Sequence, residues 1–151
     1  MIDDLNVEGE VMLLDKNLKK DIVKAIREAE KLTSGEIRVH IQSKCSNDPF
    51  FDGKKIFKKL QMDKTKEKNG VLIFIALKSK KFAILGDKGI HEKVGEDFWN
   101  DVRDTITEYF HKDQFQMGIV TGVGLIGEKL KKYFPRQRND KNELPNTVSE
   151  S

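Results

Sequence analysis

Three polar residues in glycine-containing turns have the types and spacing to do chemistry. Glu36, Asn69 and Asp87 each stand directly beside a glycine. Carboxylate and amide oxygens on flexible turns suit a hard cation such as Ca²⁺ or Mg²⁺, and a carboxylate can also activate water for hydrolysis. If the fold brings these turns together, the sequence predicts a divalent-cation site or a hydrolytic site there.

A simpler interpretation of the same residues also holds at this stage. Asn69 and Asp87 are ordinary turn formers, and Glu36 would then be an exposed strand residue. Both interpretations stay open. Four further residues would line the edge of a site at this place, namely Ser34, Lys68, Lys88 and His91.

Three strand-like segments would position these turns. Glu36–Gln42 alternates strictly between apolar and polar residues, which predicts a strand with one buried face and one wet face. Val71–Leu77 is apolar throughout and predicts a central strand. The short polar segment Lys78–Lys80 joins it to Lys81–Asp87, as expected for an antiparallel hairpin.

The connections between these strands put the three turns at one edge of the sheet. A crossover between the first two strands makes them parallel, whereas the third strand runs back. The starts of the first two strands and the end of the third then lie at the same edge. Glu36, Asn69 and Asp87 are therefore predicted to gather there.

Helical periodicity surrounds the strands. Apolar residues recur at three- and four-residue spacing and predict amphipathic helices. These are a helix over Asp15–Leu32, a short helix after a loop at Ser46–Gly53, a long helix with its apolar stripe at Val94–Phe110, and a last helix over Phe115–Phe134.

The predicted fold class is α/β, with a small central mixed β-sheet flanked by helices. At 151 residues the chain has the length of one domain. Residues 1–14 are predicted to be an N-terminal extension, residues 15–134 the folded domain, and residues 135–151 a flexible polar tail.

The segment Thr121–Leu130 contains a literal G-x-G-x-x-G, the fingerprint of a dinucleotide-binding turn. That fingerprint needs a strand before it and a second strand after its helix, where an acid holds the ribose. Here the glycines lie inside a continuous helical pattern, and no strand is predicted to follow. Gly118 and Gly122 stand four residues apart, which favours close approach of the helix to a neighbour. No dinucleotide or other organic cofactor is predicted.

Composition excludes several function classes. The charge of +3 comes from 28 basic and 25 acidic residues, which is too balanced to indicate nucleic acid. Seven lysines between Lys54 and Lys68 are interpreted as a solvated helix face, because no arginine and few aromatics interleave with them. No apolar run is long enough for a membrane span. The single cysteine, Cys45, favours a cytoplasmic location.

Four motifs in order resemble the TPM domain family, which is named after a thylakoid lumen protein, a photosystem II repair protein and a nematode receptor-associated protein. The resemblance covers Asp15–Phe134, and the chain is similar to a short soluble bacterial version of the family. The motifs are Gly35–Val39, Asn69–Ile73, Ile84–Ile90 and Phe115–Ile119.

The resemblance implies a compact α/β sandwich, and in some plant members an acid phosphatase activity with divalent cations. Glu36, Asn69 and Asp87 match the family pattern, but the family's acid before Asn-Gly is Lys68 here. Two functions follow as expectations. The first is an accessory, protein-interaction module, whose partner could be a membrane-associated protein. The alternative is a weak phosphatase that depends on Ca²⁺ or Mg²⁺.

Overall fold

The computed structural model describes residues 16–136 and 148–150. The predicted N-terminal extension, residues 1–14, lies outside the described residues. Within them, the helices match the predicted order, with one short helix that the sequence did not predict. The helices are α1 (Lys16–Glu30), α2 (Pro49–Lys59), α3 (Lys88–His91), α4 (Asn100–His111) and α5 (Phe115–Tyr133).

The described strands form one mixed sheet with the order β3-β2-β1-β4. β1 and β2 are parallel, β2 and β3 are antiparallel, and β4 pairs parallel to β1. The predicted crossover and the predicted hairpin are both confirmed, and so is the α/β fold class. The strands are β1 (Glu36–Gln42), β2 (Gly70–Ala76), β3 (Lys81–Gly86) and β4 (Val148–Glu150).

Helices cover both faces of the sheet. The larger core packs α1, α4 and α5 against one face, where alternate residues of β1 and β2 such as Ile37 and Val71 are buried. The smaller core packs α2 against the other face, where it meets Leu72 and Phe74 of β2. All seven residues of β2 are buried, because β2 lies between two strands and between two layers of helix.

The predicted wet face of β1 is wrong. His40 lies on that face and is only 3% exposed. Its ring stacks on Phe74 with the ring centroids 5.9 Å apart. His40 is hidden because its ring stacks on Phe74 and β4 adds a further strand beside β1, whereas Arg38 and Gln42 on the same face are half-buried.

Gly118, Gly122 and Gly127 of α5 are packing residues, as predicted for glycines within this helix, whereas a Cβ on Gly124 would meet nothing within 4 Å. A Cβ on Gly122 would lie 2.6 Å from Cδ1 of Ile106 in α4. A Cβ on Gly127 would lie 2.7 Å from Cβ of Ala29 in α1. The cost of a glycine inside a helix, up to about 1 kcal/mol, is therefore offset by close packing of three helices.

Two helix starts differ from prediction. α2 begins at Pro49, where Asp48 accepts a hydrogen bond from the backbone N–H of Phe50 at 2.9 Å, so the loop ends at Asp48 and not at Gly53 as predicted. Proline is well suited to the first position of a helix. The long helix predicted from the apolar stripe at Val94 also starts later. A 3₁₀ turn at Glu96–Trp99 comes first, and α4 begins at Asn100.

The predicted flexible tail contains a strand that the sequence did not indicate. Val39, His40 and Ile41 of β1 pair with Val148, Ser149 and Glu150 of β4. Residues 137–147, which join α5 to this strand, lie outside the described residues.

None of the described helices is both long and apolar enough to cross a bilayer.

Candidate functional site

The three glycine-containing turns do share one edge of the sheet. Glu36 is in register with Gly70, and Val71 is in register with Gly86. The backbone N–H of Glu36 donates to the carbonyl of Asn69 at 3.3 Å, and that of Asp87 donates to the carbonyl of Gly70 at 2.9 Å. We call the three turns, at residues 34–36, 68–70 and 86–89, the turn rim.

Two of the predicted ligands are buried at the turn rim. Asn69 Nδ2 donates to Ser34 Oγ at 3.3 Å, so this pair holds two of the turns together. Glu36 is 3% exposed. It lies in β1 with the parity of His40, on the side of the sheet that α2 covers. Their role as metal ligands stays a prediction.

Asp87 is the third predicted ligand and serves as the N-cap of α3. Its Oδ1 accepts the backbone N–H of Lys88 at 2.8 Å. Its Oδ2 is buried and has no hydrogen-bond partner among the described residues. This oxygen can therefore still accept a hydrogen bond or bind a cation at the turn rim. Such a partner would offset the free-energy cost of burying the oxygen unpaired. Lys88 and His91 lie nearby in α3 and are more exposed.

Lys68 occupies the position where the resemblance implies an acid. Its backbone is left-handed, with φ 53°, and its Nζ donates to the backbone carbonyl of Asp63. Its own carbonyl accepts the N–H of Gly89 at 2.8 Å, which ties the second and third turns together. The lysine therefore has a structural role in its own loop.

Sequence reasoning missed two further oxygens next to the turn rim. Asp63 Oδ1 and Thr65 Oγ1 are both buried and without a hydrogen-bond partner among the described residues. They lie in the segment that leads to Lys68 and is tied to Gly89. The sequence offered no signal for them, because both stand within the lysine-rich run. Within the described residues, no group of three or more histidine, cysteine and acidic side chains is placed to hold a metal ion.

The second feature with chemical potential is the β1 edge, where the tail docks. His40 Nδ1 lies 2.7 Å from Ser149 Oγ of β4, and His40 Nε2 lies 3.0 Å from Gln42 Oε1. Gln42 Nε2 donates to the carbonyl of Lys44, which leaves its Oε1 to accept from the histidine. Nδ1 of a neutral His40 then accepts from Ser149. Burial lowers the pKa of His40 below its ordinary value, which favours this neutral form.

Three charged residues complete the β1 edge. Lys19 of α1 forms an ion pair with Glu150 of β4. Glu30 at the end of α1 accepts the N–H of Ile37 at 2.9 Å. Lys19 and Glu30 therefore join α1 to the edge of the sheet at which β4 lies.

Comparison with known proteins agrees with the fold. The sequence profile of the TPM domain matches residues 7–129. No curated protein matches the chain.

Two solved structures are similar. The NMR structure of the BA42 protein from the psychrophilic bacterium Bizionia argentinensis is 46% identical, has a TM-score of 0.86, and the match covers 91% of this chain and 95% of that one. The N-terminal domain of the cg2496 protein from Corynebacterium glutamicum is 11% identical with a TM-score of 0.58, over 91% and 81% of the two chains, and shares the fold. With four fifths of its length matched by the family profile, this chain belongs to the TPM domain family.

Proposed function

We propose that this chain is an accessory binding module, which recognises an extended segment of a protein partner at the β1 edge of its sheet. The observation that carries the proposal is β4 itself. Three residues of the chain's own tail already pair with Val39–Ile41. Strand addition of this kind gives affinity through main-chain hydrogen bonds and specificity through alternate side chains.

The short length of β4 supports exchange with a partner. It spans three residues, whereas β1 spans seven. A partner segment that paired with more of β1 would make more ladder hydrogen bonds than the tail does. Glu30, which accepts the N–H of Ile37, would have to release that N–H to a longer partner strand. The tail then acts as a weak resident competitor.

The turn rim favours binding over hydrolysis. Lys68 Nζ donates to its own loop and Asn69 Nδ2 donates to Ser34, so both side chains serve to hold the turns together. The described residues hold no cluster of metal-binding side chains. We place this function in the cytoplasm, because Cys45 is a free thiol. A membrane-associated partner would be met through a cytoplasmic segment.

Binding of a peptide with the tail sequence tests the proposal. The probe is a labelled peptide of residues 146–151, added to the full chain and to the full-length Ser149→Pro variant. Proline cannot take a place inside a strand ladder, so the variant's own tail should leave β1. We expect the variant to bind the peptide at least about tenfold more tightly than the parent chain, since the competing segment is intact in the parent.

The control is a peptide that carries the same Ser149→Pro change, which should bind neither chain. A folded Ser149→Pro chain that fails to bind the unmodified peptide would overturn the proposal. Circular dichroism of the variant establishes that it is folded.

A second candidate function is hydrolysis of phosphate esters with a divalent cation. The observation that favours it is the free buried Oδ2 of Asp87, with the unpaired Asp63 Oδ1 and Thr65 Oγ1 in the neighbouring segment. Oxygen atoms of this kind suit Ca²⁺ or Mg²⁺. Glu36 and Asn69 would supply further oxygens from the turn rim. Calorimetric titration with each ion measures binding directly.

The catalytic part of this candidate is tested with an aryl phosphate. In the presence of Ca²⁺ or Mg²⁺, Asp87→Asn should abolish hydrolysis, and Asp104→Asn on the exposed side of α4 should leave it unchanged. Full activity in Asp87→Asn, or no heat on titration with either ion, would reject this site.

A further inference from the structure

The outer surface of α2 carries two exposed phenylalanines beside lysines. Phe50 is 43% exposed and Phe51 is 52% exposed, both in the first turn of the helix. Lys54 Nζ lies 4.9 Å from the centroid of the Phe50 ring, and Lys55 Nζ lies 4.5 Å from that of Phe51. We call this the aromatic–lysine surface, and it consists of Phe50, Phe51, Lys54, Lys55, Lys58 and Lys59.

The packing of α2 turns this surface away from the protein. A Cβ on Gly53 would lie 2.7 Å from Leu85 Cδ1, so the helix is pressed closely against the sheet. Ile56 and Phe57 follow on the same inner side. The four lysines of the surface are all exposed. The apolar rings of the first turn are therefore not needed for the core.

The acids near this surface are engaged in the loop before α2. Asp48 is the N-cap of the helix. Asp52 accepts hydrogen bonds from Ser46 N at 2.7 Å and from Ser46 Oγ at 2.6 Å, and these bonds lower the pKa of its carboxyl. Lys81 Nζ donates to the carbonyl of Asn47 at 3.2 Å, which extends the positive surface to the hairpin. The surface therefore presents two apolar rings surrounded by side chains whose net charge is positive.

We propose that the aromatic–lysine surface binds the surface of an anionic lipid bilayer. The rings of Phe50 and Phe51 enter the boundary between headgroups and acyl chains, as apolar residues of interfacial helices do. Lys54, Lys55 and their neighbours in α2 bind the headgroup phosphates. With two rings and a handful of lysines, this binding is reversible and depends on the charge of the lipid.

The pairing of each ring with an ammonium group favours a bilayer over other partners. At a bilayer the rings go in while the lysines stay at headgroup level, because their long side chains reach back to water. A pocket on a partner protein would have to desolvate the ammonium groups of Lys54 and Lys55 together with the rings. A single-stranded nucleic acid would have to displace these ammonium groups from the ring faces before its bases could stack.

The surface lies away from the turn rim and can be tested separately. α2 begins beside the hairpin, where Lys81 contacts Asn47, whereas the turn rim lies at the opposite ends of β2 and β3. Substitutions on the outer side of α2 therefore do not touch Asp87 or Asn69.

Co-sedimentation with lipid vesicles tests the proposal on the full chain. The vesicles are phosphatidylcholine alone, or phosphatidylcholine with phosphatidylglycerol. We expect binding to the anionic vesicles only. Both F50S/F51S and K54Q/K55Q should lower the partition coefficient about tenfold or more.

Two matched controls change the same chemistry elsewhere. Met117→Ser removes another exposed apolar side chain, which is 51% exposed in α5. K20Q/K24Q removes two exposed lysines from α1. Both controls should keep the binding of the parent chain, and circular dichroism should give the same spectrum for all four variants.

Three results would overturn the proposal. The first is a parent chain that stays in the supernatant with anionic vesicles at low salt. The second is undiminished binding by F50S/F51S, which would leave only non-specific charge attraction. The third is binding of a single-stranded oligonucleotide through the same residues and at lower protein concentration than the vesicles, which would assign the surface to nucleic acid.

Discussion

The side-chain carboxylate of Glu30 accepts the backbone N–H of Ile37 at 2.9 Å and so joins the end of α1 to the start of β1. Burial raises the pKa of this carboxyl to about 7, and the hydrogen bond from Ile37 and the charge of Arg136 oppose the rise. Glu30 closes the part of the β1 edge that precedes the residues paired with β4. A group that titrates near neutral pH therefore lies at the proposed recognition edge.

Glu30→Gln should change how stability depends on pH. The pKa of Glu30 is higher in the folded chain than in the unfolded chain, so folding binds a proton between about pH 4.5 and pH 7, and the contribution of this group falls as pH rises through that window. Relative to the parent, the variant should gain up to about 3 kcal/mol between pH 5 and pH 8. Urea unfolding at the two pH values measures the difference, and an equal effect at both would contradict it.

Two glycines of α5, three residues apart, should respond to alanine in opposite directions. A Cβ on Gly127 would lie 3.0 Å from Cα of Ala29, which is backbone and cannot move aside, so Gly127→Ala should destabilise by about 1 to 3 kcal/mol. A Cβ on Gly124 would meet nothing within 4 Å. Gly124→Ala should stabilise by up to about 1 kcal/mol, because alanine favours the helix. Thermal unfolding of the two variants decides the matter, and the same sign for both would refute close packing at Gly127.

Gly89 should be intolerant of any side chain. A Cβ there would overlap the backbone carbonyl oxygens of Glu67 and Lys68, which hold the second turn of the rim. Gly89→Ala should cost about 1 to 3 kcal/mol and break the hydrogen bond from its N–H to Lys68. Gly95→Ala is the control, because a Cβ there has no neighbour within 4 Å. An amide at position 89 that exchanges equally slowly in parent and variant would show that the turn has not moved.

Removal of β4 should raise the pKa of His40. Burial is the largest cause that lowers it in the folded chain, and deletion of residues 148–151 takes away one covering strand. The deletion also removes Glu150, whose charge raises the pKa, but that effect is the smallest of those that act on the ring. In the parent chain the unfolded state binds this proton more readily, so the contribution of His40 to stability is lost as pH falls below about 6.5. NMR titration of the ring in both chains measures the shift. A pKa that is unchanged by the deletion would show that β4 does not cover the ring.

Much of the fold could be predicted from local patterns. β2 is a run of apolar residues bounded by turns, and the helices have a period that a short window reveals. The glycines of α5 were also interpreted correctly, because the helical stripe from Ile119 to Tyr133 runs through them without a break. Where neighbouring residues determine the structure, the sequence is sufficient.

The missed features depend on residues far apart in the chain. Val148–Glu150 has no periodicity, and its strand exists because β1 offers hydrogen-bonding groups at the right place. His40 alternates as an exposed residue would, yet Phe74 and the tail strand bury it. At the turn rim the shared edge followed from topology, whereas the burial of Thr65 and the turning of Lys68 onto Asp63 needed the loop geometry.

The attachment of β4 also has a consequence for the behaviour of the protein in solution. A bare strand at the margin of a sheet is a template on which a second copy of the same chain can grow. The tail strand blocks that route on one side of the molecule. A chain shortened before Val148 should therefore aggregate at concentrations where the intact chain stays monodisperse, so the last few residues help keep the molecules apart from one another.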